Sequence, residues 1–306
     1  MAVKPGRRAG TSGFAARVAR INPMHVLDAL LAEAETFAWP APDAALWQRL
    51  DWLDRLELWL REDDTSPVAQ ALRHHRAQVE ARNAALHAAL RQAPERIGAL
   101  LMAPPDEGAV PAEAEGLDAR DELLAGVLGH PPPDAPRAAL AQGMVAYQPT
   151  PVRHVLDLLA RAQLGPDDTL VDLGAGLGQV PLLAALCSPA RAIGIEIEPA
   201  YVAAARAAAS ALRLARASFI CADLREADLS QGTLFYLYTP LRGPLLAGLL
   251  ARLRAQAKVR PLRIGGFGPC VEVLAAQDWL RPRGPVQPHR VALFECMVGA
   301  EAPPKR

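Results

Sequence analysis

The sequence predicts an α/β protein: a doubly wound, mostly parallel sheet in the second half of the chain, preceded by an all-α domain. Three observations carry this reading. From Asn22-Pro23 to about Met102 the apolar spacing is helical throughout. After Met144 short β-branched runs alternate with helical stretches. At Leu170–Val180, LVDLGAGLGQV, an apolar strand delivers Asp172, then Gly174, Gly176 and Gly178 at every second position, then a helix-compatible run. Strand, glycine turn and helix is the order in which a backbone approaches a nucleotide-like ligand at a helix N-terminus.

The totals bound the answer. A length of 306 residues suggests two domains, and 51% apolar residues suffice for a full core. Formal net charge is zero, so nothing global indicates nucleic acid or a membrane. Only Lys4, Lys258 and Lys305 stand against thirty arginines, a bias of composition that carries no function. Cys187, Cys221, Cys270 and Cys296 are scattered without CxxC spacing, which indicates no metal and fits a reducing, cytoplasmic setting. No apolar run reaches the ~18–20 residues of a membrane span. Residues 1–22 hold five bases and no acid, and read as a flexible basic tail.

The elements follow in order. In the helical domain, residues 23–103, Asn22 caps a first helix striped by Leu27, Leu30, Leu31 and Ala34. Asp43 caps a second with Leu46, Leu50, Leu53 and Leu60 on one face. Ser66-Pro67 starts a third that runs to about Gln92. Four of the five tryptophans fall between Trp39 and Trp59 and are expected to fill this small core. His74 and His75, adjacent on a helix, point to different faces and make no metal pair. Residues 104–145 read as a Pro-rich linker with one short helix from Leu117 to Leu128. The second domain, 146–299, begins with YQPTP and a helix over Val152–Ala162. Strands are expected at Thr169–Leu173, Ala192–Ile197, Ser218–Cys221, Thr233–Tyr238, Leu262–Gly266 and Val291–Met297, with helices at Pro181–Leu186, Ala200–Leu214 and Gly243–Ala257. Residues 300–306 read as a tail.

Ligands of such a sheet bind at the carboxyl ends of its strands. Asp172 lies just before the glycines, where it can accept from an ammonium group. Glu196 ends the second strand, about twenty residues on, at the spacing where a carboxylate accepts both hydroxyls of a ribose. Asp223 ends the third and can accept from an adenine amine. His154 reads as an exposed helical residue, Tyr236 as a core aromatic, and Cys270 in GGFGPC as a lesser candidate for the cleft wall.

VDLGAGLG, GIEIEP and ADLREADL at these intervals resemble motifs I, II and III of the class I, Rossmann-like S-adenosylmethionine-dependent methyltransferases, over about residues 146–298. The resemblance implies a seven-stranded-type sheet and S-adenosyl-L-methionine as cofactor. It places the methionine part against Asp172, Gly174, Ala175, Gly176 and Gly178, the ribose hydroxyls on Glu196 and the adenine on Asp223, with Ile197 and Ala222 beside them. YQPTPVRHVLDLL followed by GPDDTLVDLGAGLGQV is similar, more narrowly, to the non-SET histone-lysine methyltransferases. That similarity makes Tyr147, Thr150 and Gln179 contacts of the methionine end. The NPPY-type amide signature of many amino-methylating members is absent. FYLYTPL stands there instead, with Tyr238, Thr239 and Pro240 where the acceptor would sit. The expected function is an SN2 methyl transfer to an unidentified acceptor, a protein side chain or a small molecule. The helical domain is left to cover the cleft, recognise the acceptor or form a homodimer. Two alternatives stay open. One is a nicotinamide-dependent oxidoreductase, disfavoured because the glycines run GxGxG rather than GxGxxG. The other is a non-catalytic protein that binds S-adenosylmethionine.

Overall fold

The structure, a computed structural model, describes residues 23–37, 46–103, 116–129, 147–238, 241–287 and 289–297. The expected tails, most of the linker, the caps Asn22 and Asp43, Trp39, Thr239 and Pro240 lie outside the described residues.

The chain divides into two compact units. The helical unit holds α1 (Pro23–Thr36), α2 (Leu46–Trp59) and α3 (Pro67–Gln92). Its core is Leu27, Leu30, Ala34, Trp52, Leu56, Leu72 and Val79. Trp52 is fully buried and donates its indole N–H to the Leu30 carbonyl at 2.9 Å, which satisfies the one polar atom a buried tryptophan carries. Ser66 caps α3 by accepting from the Ala69 N–H, with Pro67 in the first turn.

The units divide differently from the expected boundaries. Helix α4 (Glu95–Met102) groups with the sheet, and α5 (Ala119–Leu128) groups with the helices rather than standing alone in a linker. Asp118 and Asp121 form a capping box at the start of α5, Gly129 ends it in the left-handed region, and Arg91 of α3 donates to the Gly126 and Val127 carbonyls. At Gly98 of α4 an added Cβ would lie 2.6 Å from the Leu186 carbonyl oxygen, so this helix packs closely on the helix Gln179–Cys187 that follows the glycine turn.

In the second unit α6 (Val152–Ala162) leads to β1 (Thr169–Leu173), α7 (Gln179–Cys187), β2 (Arg191–Glu196), α8 (Pro199–Ala211), β3 (Ala217–Cys221), β4 (Leu234–Leu237), α9 (Gly243–Ala257), β5 (Arg263–Gly266), α10 (Cys270–Ala275), β6 (Leu280–Pro282) and β7 (Ala292–Cys296). The seven strands are ordered β3-β2-β1-β4-β5-β7-β6. The first five run parallel, and β7 is antiparallel to both neighbours. β1 is buried at all five positions, as an apolar run covered on both faces must be. The strand order reverses beside it, between β1 and β4, which is where open α/β sheets leave their crevice.

Two elements escape the sequence. β6 is three residues long with Arg281 and Pro282 exposed, too short to show alternation, and α10 is six residues inside a glycine- and proline-rich stretch. The helix expected to reach Leu214 ends at Ala211, since Arg213 turns into the left-handed region at φ 53°.

Candidate active site

The glycine turn is shaped by its neighbours on β2. Gly174 and Ala175 donate their N–H groups to the Ile195 carbonyl at 2.9 and 3.0 Å. Glu196 then grips both segments: Oε2 accepts from the Gly176 N–H at 2.9 Å, and Oε1 accepts from the Ile197 and Glu198 N–H groups at 2.8 and 2.9 Å. Each carboxylate oxygen offers two lone pairs, so with Oε1 filled the residue that fixes the turn keeps room for one further donor, on Oε2. Gly176 has φ 52°, and a Cβ there would fall 2.1 Å from the Tyr147 ring. Only glycine admits both the conformation and the ring.

Asp172 is buried at the end of β1, and among the described residues its carboxylate meets no hydrogen-bond donor. Burial pushes its proton affinity up to a pKa of about 8, with the nearby Glu196 carboxylate adding to the shift. A carboxyl held so far from its ordinary range, facing a glycine turn, is the kind of perturbed group that marks a ligand site.

A strap over residues 147–151 crosses the strand ends. The Gln179 side-chain amide donates to the Thr150 carbonyl at 2.8 Å, and the Thr150 hydroxyl shares a hydrogen bond with the buried Tyr236 hydroxyl at 3.0 Å. Gln179 and Thr150 therefore spend these groups on holding the strap. Tyr147 lies over Gly176, with its ring 5.5 Å from that of Tyr201 on α8. On the far side of the turn Ile197 is 46% exposed at the end of β2, a flat apolar surface unusual so close to a carboxylate cluster. The Ala222 N–H donates to the Glu196 carbonyl, and Asp223 is engaged by Arg225, whose guanidinium contacts it at 2.6 Å and holds its carboxyl below the usual range.

The opposite flank is aromatic. Tyr238, just after β4, packs against Phe267, just after β5, with ring centroids 4.8 Å apart. The ring of His154 of α6 also packs on Phe267, with centroids 4.3 Å apart. The expectation of an exposed His154 is corrected here: it is buried, and desolvation, aided by Arg153 and Arg290, lowers its pKa to about 4. Three residues from α6, β4 and β5 meet, and period-based reading of a single helix cannot see that. The Cys270 thiol is buried and turned to the Leu237 and Phe267 carbonyls, so it belongs to the start of α10 rather than to the cleft wall. Gln148 of the strap accepts from the Tyr238 hydroxyl at 3.4 Å. Gln148, Tyr201 and Phe267 were not singled out by sequence. GGFGPC at a strand end was the one signal for Phe267.

A hollow of about 600 Å³ lies elsewhere, between the end of α8 and the start of β3, lined by Arg206, Arg213 and Ser218. It opens at the amino end of the sheet, away from every carboxylate described above. No group of three or more His, Cys, Asp or Glu residues among those described is placed to hold a metal ion.

Residues 143–234, from before the strap to the start of β4, match the family described as histone methylation protein DOT1. A protein-lysine N-methyltransferase of Saccharolobus islandicus (strain REY15A) is 30% identical over 140 residues, which cover 44% of this chain and 86% of that protein. The chain belongs to the class I S-adenosylmethionine-dependent methyltransferases. Among solved structures, an RNA methyltransferase from Salinibacter ruber in complex with S-adenosyl-L-homocysteine is 28% identical, over 52% of this chain and 98% of that one, with a TM-score of 0.41. An rRNA methylase from Streptococcus thermophilus is 14% identical, over 50% and 99% of the two chains, with a TM-score of 0.37.

For this methyltransferase S-adenosylmethionine is the methyl donor, and the site's chemistry fits it. A buried carboxylate without a donor suits an ammonium group. Glu196, with one acceptor position open on Oε2, suits a sugar hydroxyl. A glycine turn roofed by Tyr147 leaves backbone rather than side chains against the ligand.

Proposed function

We propose that this methyltransferase acts on proteins, transferring the methyl group to the ε-nitrogen of lysine side chains. The observation that carries the proposal is the protein-lysine N-methyltransferase whose sequence is matched over 86% of its length. The match to the histone methylation family, which takes in both strap and glycine turn, supports it. Charge supports it too: between residues 23 and 146 twenty acids stand against ten bases, a field that attracts lysine-rich segments and repels a phosphate backbone. The four cysteines are all free, in keeping with a cytoplasmic setting, and no helix among the described residues is long and apolar enough to cross a membrane.

In this reading Asp172 takes the cofactor's ammonium group, Glu196 its ribose hydroxyls, Ile197 and Ala222 the edge of its base, and Asp223 the base's amine. Gly174, Ala175, Gly176 and Gly178 present backbone along the methionine part. Thr150 and Gln179 act from behind, by fixing the strap that carries Tyr147. When bound, the cofactor supplies a sulfonium methyl that departs without its bonding electrons, leaving a neutral thioether. The chain's own task is to align a neutral amine with that methyl and keep water away. Tyr238, Phe267 and His154 supply an apolar wall for the four methylenes of a lysine. His154 is neutral throughout the physiological range, and so adds no positive charge against the amine. The amine's lone pair forms the new N–C bond and its proton leaves to solvent. Thr239 and Pro240 follow Tyr238 in the sequence and are assigned to the acceptor's side of the site in this proposal.

The test is direct. Purified protein is incubated with labelled S-adenosylmethionine and a panel of lysine-containing peptides, the same peptides with acetylated lysines, and total RNA. Label on lysine peptides, lost on acetylation and located to the side chain by mass spectrometry, is expected. Label on RNA alone would refute the proposal.

A further inference from the structure

The sequence that follows β4, Tyr238-Thr239-Pro240, carries no side-chain amide. An acceptor amine held beside the methyl needs a neutral hydrogen-bond acceptor that takes one N–H and leaves the lone pair free. A carboxylate would favour the ammonium form, which has no lone pair to give. We propose that the side-chain amide of Gln148 grips the acceptor nitrogen, reaching the end of β4 from the strap. The inference rests on the amine-acceptor reading and adds a residue to it.

Four features place Gln148 there. Its Oε1 lies 3.4 Å from the Tyr238 hydroxyl, which brings the amide to the end of β4 across ninety residues of sequence. At that length the bond is near the limit of a hydrogen bond, so an incoming amine displaces it at small cost. Strand register brings the pair to the chemistry: Tyr236 is paired with Asp172, so Tyr238, two residues on, stands level with Gly174 at the start of the turn.

The backbone that carries Gln148 is pinned on both sides. Tyr147 before it is locked between Gly176 and Tyr201, and Thr150 after it is held by Tyr236 and Gln179. A side chain that is itself exposed is thereby offered from a fixed base, as alignment requires. Finally, the amide of Gln179, which follows the glycine turn, is committed, since it donates to the Thr150 carbonyl. Gln148 is exposed and has Tyr238 as its hydrogen-bond partner among the described residues.

The experiment compares wild type, Gln148→Ala, Gln148→Glu and Tyr238→Phe on a lysine peptide, with S-adenosylhomocysteine affinity measured by calorimetry as the control for folding and cofactor binding. Gln148→Ala is expected to lower kcat/KM roughly ten- to thirtyfold, the loss of one hydrogen bond to the reacting group, with S-adenosylhomocysteine affinity unchanged. Gln148→Glu keeps the acceptor oxygen but adds charge, and is expected to move the rise of kcat with pH to the alkaline side. Tyr238→Phe removes the latch and keeps the amide, and is expected to lose less than threefold. Two results overturn the inference: Gln148→Ala turning over within twofold of wild type, or Tyr238→Phe reproducing its whole loss, which would make the amide a mere latch. Wild type that binds S-adenosylhomocysteine but methylates no lysine peptide refutes the amine reading itself. A fully active Gln148→Ala refutes this inference alone.

Discussion

In the proposed reading Asp172 ties cofactor binding to stability through one proton. In the free protein its carboxyl has a pKa of about 8, raised by burial and then by Glu196, against an ordinary value of 3.8. Between those values the folded chain holds a proton that the unfolded chain has released. The stability contributed by that protonated carboxyl is full below about pH 4, and is lost as pH rises through about 8. At about 1.4 kcal/mol per pH unit the ceiling on the loss is ~6 kcal/mol. Asp172→Asn keeps the shape and removes the titration. It is expected to match wild type near pH 4 and to exceed it increasingly toward pH 9, by roughly 2–4 °C in Tm for each kcal/mol. The same substitution removes the proposed partner for the cofactor's ammonium group, so S-adenosylmethionine affinity should fall as Tm rises. Thermal melts of both proteins from pH 4 to 9 in the absence of ligand read the first effect, and calorimetry at pH 8 reads the second. A Tm difference that does not change with pH would refute the reasoning, because it would mean Asp172 holds no displaced proton.

Three further outcomes follow from the same geometry. Gly176→Ala must carry a Cβ at φ 52° and push away the Tyr147 ring; it should weaken S-adenosylhomocysteine binding at least tenfold, and Tyr147→Ala combined with it should cost less than the sum of the two, because the clash is shared. Glu196→Ala should lose cofactor affinity and loosen the turn, since the Gly176, Ile197 and Glu198 N–H groups lose their acceptor together; an unchanged dissociation constant would contradict its assignment. His154, with a pKa lowered to about 4, contributes stability that is present above about pH 6.5 and is lost as pH falls toward 4, because the unfolded chain takes up the proton first; His154→Phe should flatten the melting curve's pH dependence in that window.

The two flanks of the site differ in how far sequence reveals them, and the reason is physical. On the cofactor flank the ligand is fixed in chemistry, so the chain must answer with backbone that only glycine permits and with carboxylates at successive strand ends. Gly176 under Tyr147 and Glu196 twenty residues on are local requirements, and local requirements leave spacing in the sequence. Even there the reading misses tasks settled by tertiary contact. Gln179 and Tyr236 hold the strap through Thr150. On the acceptor flank nothing repeats along the chain. Gln148 comes from the strap, His154 from α6, Tyr238 from just after β4 and Phe267 from just after β5, and of these Tyr238 alone stands out in its own segment. His154 looks solvent-exposed until Phe267 covers it, and the turn after β4 looks deficient until Gln148 arrives from ninety residues away. A motif defined at one strand end can therefore be lost from the sequence while its chemistry is kept in space. That is why the absent amide signature after β4 weighs less against an amine acceptor than the linear reading implies. The function needs an oxygen at the right place, and the fold can bring it from either side of the cleft.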